Sequence, residues 1–253
     1  MPYLADVDGD GRHDLLVGSR TLEDTDDERF TITVHVARSV EREGEDTFAE
    51  VEQVLDLGRS EHPVTGVGDF DGDGDDDLFR ATNTLRGNGV TQVRVEAIIN
   101  DDGTFTAHEP TELDVDVWGV GWFVAGDPDG DGQDEVVVTN GRRGSIGVLE
   151  QADGAFGEPA EWWAGSVGEK DWERTVFREG APWFRQALSD VDGDGDDDLV
   201  ALARVADDNG IAVGVATSDG SGFAEYEEWG SLPCATDPCP AYELVANVEP
   251  SIL

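Results

Sequence analysis

Lysine is almost absent from this chain. Fifty-eight Asp and Glu face sixteen Lys and Arg, of which only Lys170 is lysine, and the formal charge is −42. That sign excludes a nucleic-acid binder, because no surplus of cations exists to displace counterions from phosphate. It argues equally against docking on anionic lipid. Long apolar runs are missing too: no stretch approaches the roughly 20 residues of a membrane-spanning helix, so no direct membrane insertion is expected. The start, Met1-Pro2-Tyr3-Leu4-Ala5-Asp6, has neither a basic n-region nor an apolar h-region. Cysteine is limited to Cys234 and Cys239, in Pro-Cys-Ala-Thr-Asp-Pro-Cys-Pro. A lone C-x4-C with no nearby His cannot complete a zinc site; a local disulfide is the favoured reading, with two free thiols the alternative. The 38% of hydrophobic residues, seven Trp among them, are enough for a folded core over 253 residues.

What is present is a repeat. Four stretches align without gaps: Asp6-Val-Asp8-Gly-Asp10-Gly-Arg12-His-Asp14, Asp69-Phe-Asp71-Gly-Asp73-Gly-Asp75-Asp-Asp77, Asp127-Pro-Asp129-Gly-Asp131-Gly-Gln133-Asp-Glu135 and Asp190-Val-Asp192-Gly-Asp194-Gly-Asp196-Asp-Asp198. Their first residues lie 63, 58 and 63 apart, and each loop runs into a short apolar stretch such as Leu15-Leu16-Val17 or Val136-Val137-Val138. A second signature follows in each copy, a turn before an aromatic: Asp46-Thr-Phe48, Asp102-Gly-Thr-Phe105, Asp153-Gly-Ala-Phe156 and Asp219-Gly-Ser-Gly-Phe223. Alternating segments precede them, for example Thr31-Ile-Thr-Val-His-Val36. Period-two alternation ending at an Asp or Gly turn is a hairpin signal. Each unit therefore reads as strand, acidic loop, strand, connection, strand, turn, strand.

The expected architecture is all-β, of β-propeller type: four repeats of about 60 residues, each a four-stranded antiparallel blade. The blades fall at about 1–60, 61–117, 118–180 and 181–230, and a Cys- and Pro-containing tail occupies 231–253. Residues 20–29 read as a charged excursion in the first unit and 164–182 as an insertion before the fourth. No linker divides the chain into independent domains.

Oxygen ligands at loop positions 1, 3, 5 and 9, with glycines at 4 and 6 for the tight turn, suit a hard divalent cation. Position 7 needs to offer only its backbone carbonyl, so Arg12 and Gln133 are tolerated beside Asp75 and Asp196. Without thiolate or imidazole in the pattern, soft metals are excluded. Position 12 is Val17, Arg80, Val138 and Ala201. An EF-hand requires a bidentate Glu there and a helix after it, so that motif is rejected.

The D-x-D-x-D-G-x-x-D loop followed by an apolar strand resembles the calcium loop of FG-GAP repeats in integrin α-type propellers and related bacterial proteins. The Asp-Gly-x-Phe turn resembles the bacterial, VCBS-like version. The resemblance covers about residues 1–230 and implies up to four Ca2+ ions. Glu135 departs from it by lengthening the arm at position 9. Four repeats against the seven blades of integrin-like propellers leave open a four-bladed ring, a fragment of a larger propeller, or an open array; the start of the chain hard against its first loop favours the fragment.

No catalytic signature accompanies the loops: G-x-S-x-G, H-E-x-x-H and the P-loop are all missing, and His13, His35, His62 and His108 are scattered over unrelated repeat positions. The function expected is a non-enzymatic, calcium-stapled binding or adhesion module with a protein or glycan partner. It belongs outside the cytoplasm: extracellular, at the cell surface or periplasmic. The alternative is a carbohydrate-binding or carbohydrate-active accessory domain using Trp118, Trp122, Trp162, Trp163, Trp172 and Trp183.

Overall fold

The computed structural model describes residues 2–24, 29–42, 44–60, 64–85, 91–113, 122–140, 145–164, 185–205 and 210–233. All of its regular elements there are strands. The first sheet is built from β1 (Pro2–Ala5), β2 (Asp14–Asp24) and β3 (Arg29–Ala37), then a small ribbon of β4 (Ser39–Arg42) and β5 (Glu45–Phe48), then β6 (Glu52–Ser60). Its order is β1-β2-β3-β6, every pairing antiparallel. The second contains β7 (Val64–Gly68), β8 (Asp77–Leu85), β9 (Thr91–Asp101), β10 (Thr104–Ala107) and β11 (Thr111–Leu113), with both β10 and β11 paired to β9. The third is β12 (Trp122–Gly126), β13 (Glu135–Asn140), β14 (Ser145–Leu149) and β17 (Ala160–Ala164), interrupted by the ribbon β15 (Gln151–Ala152) and β16 (Ala155–Phe156). The fourth is β18 (Arg185–Ser189), β19 (Asp198–Val205), β20 (Gly210–Ala216) and β21 (Glu227–Pro233). The fold class is thus all-β, four antiparallel blades, each with its acidic loop between the first two strands.

Three details differ from the sequence reading. The aromatic turn does not simply join the third and fourth strands; it forms its own ribbon in blades one and three, and an isolated bridge, Ser218 to Phe223, in blade four. Residues 20–24 and 29 are not an excursion, because β2 and β3 remain paired as far as Asp24 and Arg29. The last strand also runs to Pro233, past the expected start of the tail.

The blades distribute into two compact units, 1–114 with 150–158, and 115–149 with 159–253. In the first unit Ala5, Val7, Leu16, Ile32, Val34, Leu78, Ile98 and Phe105 form one buried cluster. In the second, Val137, Ile146, Val148, Leu199, Ala201, Phe223 and Tyr226 do the same. The ribbon from Gln151 to Phe156 belongs to the first unit: Phe156 meets Phe70 edge-on at 5.3 Å, and its carbonyl accepts the Thr111 hydroxyl. Trp162 and Trp163 lie in β17, half-buried against Phe223 and Tyr226 at 5.6 and 6.2 Å. His35 sits on the face of β3 beside Thr33 and Ser19. Most of the 164–182 segment, Trp118, Trp172, Trp183, His62, Cys234 and Cys239 lie outside the described residues, as does the side chain of Trp122.

Candidate metal centres

Each loop is shaped first by its own aspartates. At position 1, Asp6 accepts the N–H groups of Asp10 and Gly11 (3.1 and 2.7 Å), Asp69 those of Gly72, Asp73 and Gly74, Asp127 those of Asp131 and Gly132, and Asp190 that of Gly193. Position 5 accepts the N–H of position 7 in all four loops, at 2.9 to 3.1 Å. Such side-chain-to-backbone bonds replace a ladder where the chain must curl. The curl needs positive φ at positions 4 and 6, and Gly72 and Gly74 have φ of 73° and 95°.

Position 9 closes the site from the strand. Asp14, Asp77, Glu135 and Asp198 are all buried, at 4% exposure or less. Asp77 accepts the N–H of Phe70 (2.9 Å) and of Asn100 (2.7 Å); Asp198 repeats this with Val191 (3.1 Å) and Ser218 (2.8 Å). Asp14 accepts the Ser39 N–H at 2.6 Å. The carboxylates converge: ligand atoms of Asp6, Asp8 and Asp10 lie within 4.8 Å of one another, as do those of Asp69, Asp71 and Asp77, of Asp127, Asp129 and Glu135, and of Asp190, Asp192 and Asp194. Position 9 therefore joins positions 1 and 3 in loops two and three, while in loops one and four the close trio is positions 1, 3 and 5.

This convergence is electrostatically unfavourable without a cation. Burial, then the neighbouring aspartates, pushes the Glu135 carboxyl up to about 9; burial does most to lift Asp77 to about 7. Asp8, Asp14, Asp71 and Asp192 are displaced upward for the same leading reason. Asp10 moves down instead, because the Arg12 side chain bonds it. Three buried carboxylate oxygens, Asp8 Oδ1, Asp14 Oδ2 and Glu135 Oε2, have no hydrogen-bond partner among the described residues. All belong to positions 3 and 9, and an all-oxygen set with orphaned acceptors fits a hard divalent ion.

Positions 7 and 8 do work that the sequence reading missed. Asp75 Oδ2 accepts the Asp102 N–H (2.8 Å), while its other oxygen leaves no room for a side chain at Gly9 of the first loop. Asp76 pairs reciprocally with Asp6: its Oδ2 takes the Asp6 N–H at 2.5 Å and its N–H donates to the Asp6 carbonyl at 2.7 Å. Asp197 and Asp127 repeat the pair at 3.1 and 2.8 Å. Asp at position 8 in three of four copies was the available signal.

Residues 69–138, from the first residue of loop two to the strand leaving loop three, match the family model described as FG-GAP-like repeat. The chain carries an FG-GAP-like repeat. Loops one and four each begin 63 residues from a loop of the matched stretch, whose own two loops begin 58 apart. No curated protein matches the chain. Among solved structures, a GH43_1 enzyme from Xanthomonas citri, determined with xylotriose, is similar at 14% identity and a TM-score of 0.47, covering 90% of this chain and 73% of that one.

Proposed function

We propose that the chain is a calcium-binding, non-enzymatic module that works outside the cytoplasm, with Ca2+ stapling each blade and the scaffold presenting a surface to a protein or glycan partner. Calcium would be held by Asp6, Asp8, Asp10 and Asp14; Asp69, Asp71, Asp73 and Asp77; Asp127, Asp129, Asp131 and Glu135; and Asp190, Asp192, Asp194 and Asp198. Arg12, Asp75, Gln133 and Asp196 would add backbone carbonyls. The observation that carries the reading is the set of buried, partnerless carboxylate oxygens at positions 3 and 9, in loops whose acids are pushed toward protonation. A divalent ion removes both penalties together. Loops of this class in extracellular modules bind as weakly as about 10⁻⁴ to 10⁻³ M, which suits a compartment rich in calcium.

The sugar-binding alternative turns on Trp118, Trp122, Trp172 and Trp183, whose side chains lie outside the described residues, while Trp162 and Trp163 are engaged in packing. The deciding experiment is thermal unfolding followed by Trp fluorescence in millimolar calcium, in magnesium and in chelator. A site whose Kd is a hundredth of the free calcium adds about 2.7 kcal/mol. A midpoint that rises with calcium and not with magnesium is expected; equal midpoints in all three would sink the reading.

A further inference from the structure

Within each unit, the later blade grips the acidic loop of the earlier one by three contacts, and the two units repeat them position for position. The first is the position-8 pair: Asp76 accepts the Asp6 N–H and donates its own to the Asp6 carbonyl, and Asp197 does both with Asp127. The second comes from a buried residue where the third strand ends. The Asn100 N–H holds Asp77 Oδ1 (2.7 Å) while its Nδ2 donates to the Val7 carbonyl (3.0 Å); the Ser218 N–H holds Asp198 Oδ1 (2.8 Å) while its hydroxyl donates to the Pro128 carbonyl (2.6 Å). Each thus bonds position 9 of its own loop with its backbone and position 2 of the gripped loop with its side chain. The third contact is at position 7, where oxygens of Asp75 and Asp196 occupy the space that a side chain on Gly9 or Gly130 would need.

These contacts all end beside candidate ligands. Asp6 and Asp127 are position 1, and Val7 and Pro128 stand between positions 1 and 3 of the gripped loops. Asp76 and Asp197 directly precede position 9 of the gripping loops. Gripped and gripping loops also differ at position 9: Asp14 Oδ2 and Glu135 Oε2, in the gripped loops, are buried without a partner among the described residues, whereas Asp77 and Asp198 each accept two N–H groups.

We propose that the calcium sites fill as coupled pairs, loop one with loop two and loop three with loop four, an inference that rests on the calcium reading above. An ion in loop one fixes Asp6-Val7-Asp8 and with it the groups that Asp76 and Asn100 bond; those two residues in turn steady Asp77. The second ion then meets a loop that is already ordered, which raises its affinity. Linkage requires loop two to tighten loop one by the same factor. Charge acts the other way, because a bound ion weakens the negative field that attracts the next. Salt screens that repulsion more than it weakens hydrogen bonds between buried partners, so at about 0.5 M salt the contacts set the sign.

The test is a double-mutant cycle on the full chain in about 0.5 M salt, with hydrogen exchange of the peptide spanning 69–77 followed by mass spectrometry against calcium concentration. Asp8→Asn with Asp10→Asn disables loop one, and it relieves repulsion in the empty loop, so the metal-free fold should survive. The calcium concentration that half-protects loop two should then rise at least about fivefold. Asp76→Ala removes a side chain that is not a ligand, and in its presence disabling loop one should move loop two by only about twofold. Asp76→Asn, which keeps an acceptor for the Asp6 N–H, should retain the larger shift. The mirror cycle, Asp129→Asn with Asp131→Asn read at residues 190–198 with and without Asp197→Ala, answers independently should one alanine variant fail to fold. A loop two that fills at the same calcium concentration after loop one is disabled would overturn the coupling and leave the calcium reading standing. Equal shifts with and without the alanine would overturn it as well. No calcium protection in any loop of the wild type would instead bring down the calcium reading, and the coupling with it.

Discussion

Glu135 and the turn phenylalanines give single-residue predictions with opposite signs. Glu135 is buried, one of its oxygens has no partner, and its carboxyl is held near 9. Glu135→Gln keeps the shape and removes the charge. The metal-free protein should gain on the order of 2 kcal/mol at pH 8, while calcium titration should find one site fewer or one site severely weakened. A variant less stable without metal, with unchanged calcium stoichiometry, would show that the arm of Glu135 is only structural. Phe105→Ala empties a buried position and should cost about 3–5 kcal/mol in urea unfolding, whereas Phe48→Ala should stay within about 0.5 kcal/mol in dilute monomer. Both phenylalanines occupy the same position of the sequence signature. Only the surroundings separate them, which is why the turn was legible in the sequence and its burial was not.

At the scale of elements, the loops were readable because their determinants are contiguous: alternate aspartates, and glycines where φ must be positive. The antiparallel blades followed from period-two alternation. The grip between blades was hidden, since Asp76 lies 70 residues from the Asp6 it bonds and Asn100 lies 93 from Val7. The fourth strands were also blurred, because a ribbon around the aromatic intervenes before them in blades one and three. The grip has its own test. Asp76→Asn retains an acceptor for the Asp6 N–H and removes a carboxylate that burial has already pushed upward. Asp76→Ala leaves that N–H and the adjoining space unfilled. The alanine variant should lose about 1–3 kcal/mol relative to the asparagine variant, read from urea midpoints at constant slope. Equal midpoints would mean that the reciprocal backbone bond from Asp76 to the Asp6 carbonyl carries the contact alone.

Over the whole molecule, the charge of −42 is spread unevenly. The loops hold 21 of the 58 acids, and the 37 outside them still outnumber the sixteen bases, so four calcium ions would leave a strongly acidic surface. That excess keeps the chain soluble and repels its copies, and salt weakens both effects. The buried loop acids set the pH response of the metal-free protein. Asp77 and Glu135 hold their protons in the folded state to about 7 and about 9, against ordinary values of 3.8 and 4.5 in an open chain. Between those limits the folded state binds more protons than the unfolded one, so stability must fall as pH rises. The contribution is fully present below about pH 4 and is lost through about 7 for Asp77 and 9 for Glu135. Calcium held as proposed would bind the ionised carboxylates and compete with those protons, which would turn the slope around: its stabilisation should be small at pH 5 and largest near pH 8. Urea unfolding at pH 5, 6.5 and 8, with chelator and with calcium, should therefore give two lines that diverge upward in pH. Parallel lines would place the upward-shifted carboxylates outside the calcium sites and separate the pH response from the metal altogether.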